Sequence, residues 1–81
     1  MPYRVVEMTL GPDDRVKART PLPQLFETEV SANSAITRII ATADQHGFDT
    51  EQSTYWAVRN GERFRYAVEA APAPTGSHLV A

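Results

Sequence analysis

The stretch YWAVRNGERFRYAVEA, Tyr55 to Ala70, decides how this chain folds. Two runs rich in aromatic and β-branched residues flank Asn60-Gly61, the dipeptide best suited to a hairpin turn with two consecutive positive φ angles. A two-residue turn pairs Arg59 with Glu62, Val58 with Arg63, Ala57 with Phe64, Trp56 with Arg65 and Tyr55 with Tyr66. That register gathers Tyr55, Ala57, Phe64, Tyr66 and Val68 on one face and puts Trp56 beside Arg65 on the other. A three-residue loop with a Gly bulge shifts the pairing by one and sends Trp56 and Val58 inward instead. The two-residue turn is the preferred reading, because it suits Asn-Gly and closes the hairpin on an opposite-charge pair. Either way Arg63 and Arg65 point outward.

Upstream of the hairpin lies the strongest helical signal. Ala32, Ala35, Ile36, Ile39, Ile40 and Ala43 recur at the i, i+3, i+4, i+7 spacing, with Asn33, Thr37, Arg38, Asp44 and Gln45 facing away. Ser31 reads as the N-cap and Gly47 as the left-handed residue past the C-terminus, which predicts a helix over Ala32 to His46. Nearer the N-terminus, Tyr3 to Leu10 alternates as a strand, with Val6, Met8 and Leu10 on the side expected to meet the helix. Gly11-Pro12-Asp13-Asp14 is turn chemistry. Arg15 to Thr20 then returns as a strand, with Val16 and Ala18 inward and Arg15, Lys17 and Arg19 outward. Because it runs into Pro21-Leu22-Pro23, which cannot complete a ladder, this strand belongs at a guarded sheet edge. Gln24 to Val30 adds a short strand or leads into the helix.

These elements predict an α+β fold, a two-layer sandwich with one helix on an antiparallel sheet of about four strands in the order ββαββ. Residues 1–70 form the single domain, and the Ala/Pro-rich stretch 71–81 is expected to be a disordered tail. At 81 residues the core buries only roughly 60 to 65% of the surface an unfolded chain exposes, so a partner or second copy adds useful burial. The opening residues lack the apolar run of a secretory signal, and no apolar stretch approaches the ~20 residues that span a bilayer. A soluble, cytoplasmic protein with no membrane partner is expected.

The chain contains no cysteine, so thiol chemistry and thiolate metal sites are excluded. No nucleophile elbow, P-loop, dinucleotide fingerprint or zincin helix is present, and no cofactor or small-molecule substrate is implied. His46 with Asp44 and Asp49 lacks a diagnostic spacing and reads as a histidine at a helix C-terminus. Asp13/Asp14 read as turn formers and Glu27/Glu29 as solvated charge. A non-enzymatic protein is expected.

Net charge is −2, so any electrostatic steering must come from arrangement. If one helix covers one face, the other collects Val5, Glu7 and Thr9 with the candidate binding residues Arg15, Lys17, Arg19, Trp56, Arg63 and Arg65. The acidic residues fall mostly elsewhere. The expected function is therefore a small non-catalytic interaction module, docking a second copy or an acidic protein through the open sheet face or edge. The alternative is a nucleic-acid-binding accessory protein that uses the same arginines and aromatic side chains for phosphates and bases.

Overall fold

The computed structural model describes residues 2–71, so all of the tail expected over 71–81 except Ala71 lies outside the described residues; Ala71 itself is buried and donates its amide to the Pro2 carbonyl. Six elements follow one another: β1 (Tyr3–Leu10), β2 (Val16–Phe26), α1 (Glu29–Ile40), β3 (Gln45–Asp49), β4 (Thr54–Arg59) and β5 (Glu62–Ala70). The strands form one antiparallel sheet in the spatial order β2-β1-β5-β4-β3. The fold is α+β, but the expected four-strand ββαββ order is corrected to five strands in the order ββαβββ.

The extra strand takes Gln45 and His46 from the end of the expected helix, Gly47 from its expected cap, and Phe48 and Asp49 beyond it. Thr28, in extended backbone, is the N-cap, and its Oγ1 accepts from the amide of Ser31, so the helix starts a turn earlier than Ser31 implied. It also ends early. Ala43 donates to the Ile40 carbonyl, the Thr42 hydroxyl donates to that of Ile39, and Asp44 then donates to the Val58 carbonyl, which carries the chain into the sheet. His46 and Gly47 therefore sit in β3 rather than at a helix C-terminus.

Asn60 and Gly61 both adopt positive φ, 51° and 80°, as the two-residue turn requires. The β4–β5 register is the one that turn imposes, from Arg59 opposite Glu62 to Tyr55 opposite Tyr66. Gly11 to Arg15 closes the β1–β2 turn through amide bonds of Gly11 to the Arg15 carbonyl and of Asp14 to the Gly11 carbonyl. The strand expected over Arg15 to Thr20 is outermost, but it begins at Val16 and runs on through Pro21 and Pro23 to Phe26, which an edge strand with one unpaired side allows.

The core joins the helix residues Ala32, Ile36 and Ile40 to Val5, Ala57 and Tyr66. Ala32 and Ala57, with minimal side chains, let the helix approach the sheet closely, while Tyr66 and Ile36 fill the space between. Tyr3, Leu22, Phe26, Ile39, Tyr55, Phe64 and Val68 complete the packing.

The face of β1 is the reverse of the expectation. Val5 pairs with Val68 and Glu7 with Tyr66, so Tyr3, Val5, Glu7 and Thr9 share the helix side, and Val6, Met8 and Leu10 the open side. Both parities of this strand carry apolar residues, so its own pattern does not choose. The unambiguous face of β5 does. In β2 a bulge opposite Thr9 and Leu10 resets the alternation, leaving Val16 paired with Leu10 on the open side and Ala18 with Thr9 on the helix side.

Gly47 is required by contact rather than by φ. A Cβ there would lie 2.7–2.8 Å from atoms of the Trp56 indole, so the ring rests directly on the glycine backbone of the neighbouring strand. Gly47→Ala is expected to destabilise by about 1–3 kcal/mol through this overpacking. Urea unfolding measures the loss, and a shifted Trp56 emission identifies the displaced ring.

Candidate functional site

Two rows of side chains cross the whole open face. One runs Arg19, Met8, Arg65, Trp56, Gly47, and the next Val16, Leu10, Arg63, Val58, Gln45. Trp56, Arg63, Arg65 and Arg19 are thus brought onto one surface, as the alternation implied. Arg15 and Lys17 are not part of it: Arg15 precedes β2 and pairs with Asp13 in the turn, and Lys17 lies at the bulge.

Carboxylates meet these arginines. Arg65 Nη1 donates to Asp49 Oδ2 at 3.2 Å and to Thr54 Oγ1 at 3.0 Å. Arg63 Nη2 lies 2.5 Å from Asp14 Oδ1. Arg4 Nε donates to Glu69 at 2.8 Å, and Arg19 pairs with the other oxygen of the same carboxylate. Acidic residues expected elsewhere, Asp14 and Asp49, therefore lie where they offset the guanidinium charge. The face is a lattice of ion pairs rather than a bare cationic field. Hydrogen bonds from Arg65, then from the Gln52 amide, hold the Asp49 carboxyl below its ordinary range. Glu69 is lowered in the same sense, first by its bond from Arg4.

On the helix side a polar network ties the core together. Tyr66, fully buried, donates its hydroxyl to Glu7 Oε2 at 2.8 Å and accepts from Arg59 Nη1 at 3.0 Å. Arg59 Nη2 also donates to the Ile39 carbonyl, one of those left without an intrahelical partner in the last turn. Burial raises the Tyr66 pKa above its ordinary 10.0, the neighbouring Glu7 adds to the rise, and Arg59 opposes it. The sequence places Glu7 on the open face and Arg59 in an opposite-charge pair with Glu62, whereas Glu7 turns to the helix side and the Arg59 guanidinium bonds to Tyr66 and Ile39 instead. The hairpin register carried a signal for Arg59 alone, which falls on the parity of Tyr55 and Ala57; the face of Glu7 is set only by the pairing of β1 with β5.

The two sheet edges differ. β2 carries Lys17, Arg19, Pro21 and Pro23 along its outer edge. β3, Gln45-His46-Gly47-Phe48-Asp49, has no proline and no lysine or arginine, and its Phe48 is 48% exposed while stacking edge-on against Tyr55 at 4.8 Å between centroids. Beside β3, on the helix side, runs a groove of about 560 Å³ with Val30, Asn33, Phe48, Tyr55 and Val68 in its walls. Val30 there is 74% exposed. A smaller cleft, about 390 Å³, separates the helix from β2 near Leu22, Phe26 and Ile39.

Among the described residues no group of three or more His, Asp or Glu side chains could hold a metal ion, and His46 stands on the exposed edge strand. No helix among them is long and apolar enough to cross a membrane. No family model matches this chain, and no curated protein or solved structure matches it either.

Two measurements check the site. Tyr66→Phe removes the hydroxyl that Glu7 and Arg59 share and is expected to cost about 1–2 kcal/mol. Because the folded tyrosine pKa is raised, that hydroxyl's contribution is full below the ordinary value of 10.0 and fades as pH climbs through the folded one, so wild type and variant should converge in alkali. Asp49 and Glu69 are lowered, so their contribution is present above the ordinary carboxylate range and fades as pH falls through the folded values. A carboxyl NMR titration should find Asp49 below 3.8 and Arg65→Gln should move it upward.

Proposed function

We propose that this chain is a small non-catalytic protein-interaction module that docks a second copy or a partner protein along its sheet. The observation that carries this reading is the asymmetry of the two edges. Natural sheets protect a free edge with proline, charge or a bulge, since its unpaired amides and carbonyls template the addition of another strand. β2 carries all three protections, whereas β3 carries only Asp49 at its end and lies beside an open groove; exposed apolar side chains stand at both edges, Val16 and Leu25 on β2 and Phe48 on β3.

Pairing of Arg4, Arg19, Arg63 and Arg65 with Glu69, Asp14 and Asp49 favours a protein partner over nucleic acid. A phosphate backbone would have to displace carboxylates already bonded to these guanidinium groups, and the net charge of −2 opposes approach. The same pairing removes electrostatics as the main attraction, so docking relies on backbone pairing and apolar contact at the edge.

A photoreactive benzophenone residue replacing Phe48, with one replacing Leu25 near the β2 edge as control, tests the reading in cells. Discrete protein adducts at position 48 and few at 25 are expected. The reading fails if neither position gives a discrete adduct and the purified chain stays monomeric at all concentrations. In parallel, anisotropy with a labelled single-stranded oligonucleotide at low salt should show no binding, and salt-sensitive binding lost in Arg63→Ala/Arg65→Ala would instead establish the nucleic-acid alternative.

A further inference from the structure

We infer that the occupant of the free edge is a second copy of this chain, with β3 pairing antiparallel to β3 about a two-fold axis at Gly47. This rests on the interaction reading above and names its partner and geometry. An isologous contact needs a surface complementary to itself, so that residue i meets j and j meets i. The five residues of β3 satisfy this when centred on the glycine. Gln45 then stands opposite Asp49 of the second copy, an amide donor facing a carboxylate, and His46 stands opposite Phe48, an imidazole facing an aromatic ring. Gly47 faces Gly47.

Charge selects this arrangement over its parallel counterpart. A parallel, in-register pairing sets Asp49 against Asp49, and like charges directly opposite destabilise a sheet. The antiparallel one places the two aspartates at opposite ends of the contact, each already bonded to Arg65 of its own chain. On the helix side the row Thr20, Glu7, Tyr66, Tyr55, Phe48 continues into the second copy, and the exposed part of Phe48 gains a neighbour. On the open side the absence of a Gly47 side chain matters most. The Trp56 ring already lies over its own Gly47, so with strands about 4.8 Å apart the two indoles approach each other across the axis over the paired glycines.

The edges also set the stoichiometry. Joining two β3 strands yields one continuous ten-stranded sheet whose ends are the two β2 strands, both protected by Pro21, Pro23 and bulge. Nothing remains to template a third copy. The assembly closes as a dimer rather than growing into a filament.

Sedimentation of the full chain over a wide concentration range should show a monomer–dimer equilibrium with no larger species. Since Trp56 is the only tryptophan, its emission should change along the same dilution curve. Phe48→Lys should raise the dissociation constant about tenfold or more, while Leu25→Lys on the other side of the sheet leaves it unchanged; circular dichroism confirms that both variants fold. The chain has no cysteine of its own, so oxidising a mixture of His46→Cys and Phe48→Cys chains should give a crosslinked dimer more readily than either alone, which reports the register. A strict monomer overturns the proposal, as does a dimer indifferent to Phe48→Lys or crosslinking without preference for the mixture. If position 48 still yields a discrete adduct with a different protein while the purified chain is monomeric, self-pairing is refuted and the interaction reading stands.

Discussion

A fully buried tyrosine at the centre of so small a domain imposes a condition on everything around it. The Tyr66 ring supplies much of the apolar bulk beneath the helix, but its hydroxyl is taken out of water with it and must be bonded within the fold. Glu7 accepts a hydrogen bond from the hydroxyl and Arg59 donates one to its oxygen. Arg59 in turn reaches the Ile39 carbonyl at the helix exit, so one side chain joins strand β4, strand β5 and the end of α1. Removing any member leaves a polar group without its partner, which is why the network holds the two layers in register as well as together.

That condition explains the orientation of β1. By apolar count Val6, Met8 and Leu10 make the better inward face, and they turn outward nonetheless. With Glu7 inward, β1 delivers an acceptor to Tyr66 and still places Val5 in the core. The cost is a second face that keeps Met8 and Leu10 among its arginines, while Val6 on the same face is buried; the aliphatic stems of paired Arg side chains lie on that sheet surface with the apolar residues. The inverted strand answers the need of one buried hydroxyl, whereas the pairs Arg63–Asp14 and Arg65–Asp49 join other elements of the sheet.

The early end of the helix has a comparable logic. Thr42 bonds back to Ile39, and Asp44 both enters the sheet at Val58 and accepts from the Asn60 amide at 3.0 Å. The exit of α1 is thereby pinned to the β4–β5 turn, and the residues beyond it become a fifth strand instead of another helical turn. With α1 only twelve residues long and lying over β1, β2, β4 and β5, the β3 side keeps a groove and an unprotected edge. The surface assigned to docking is thus created by where the helix stops.

Much of this was legible in the residues themselves, and the division follows the range of the forces. Asn60-Gly61 determines its hairpin register because the sterics of two positive φ angles act within four residues. The Ala/Ile stripe determines that a helix exists and which side of it is buried, and Pro21 and Pro23 determine that β2 lies at an edge, since a missing amide cannot be repaired by any neighbour. Only the tertiary structure decided which parity of β1 faces in, that Gln45 to Asp49 is a strand, and that Arg65 and Arg4 meet Asp49 and Glu69, partners 16 and 65 residues away along the chain. Those choices turn on burial and hydrogen-bond satisfaction between segments that no local pattern relates, so they come into being only when the sheet is assembled beneath its helix.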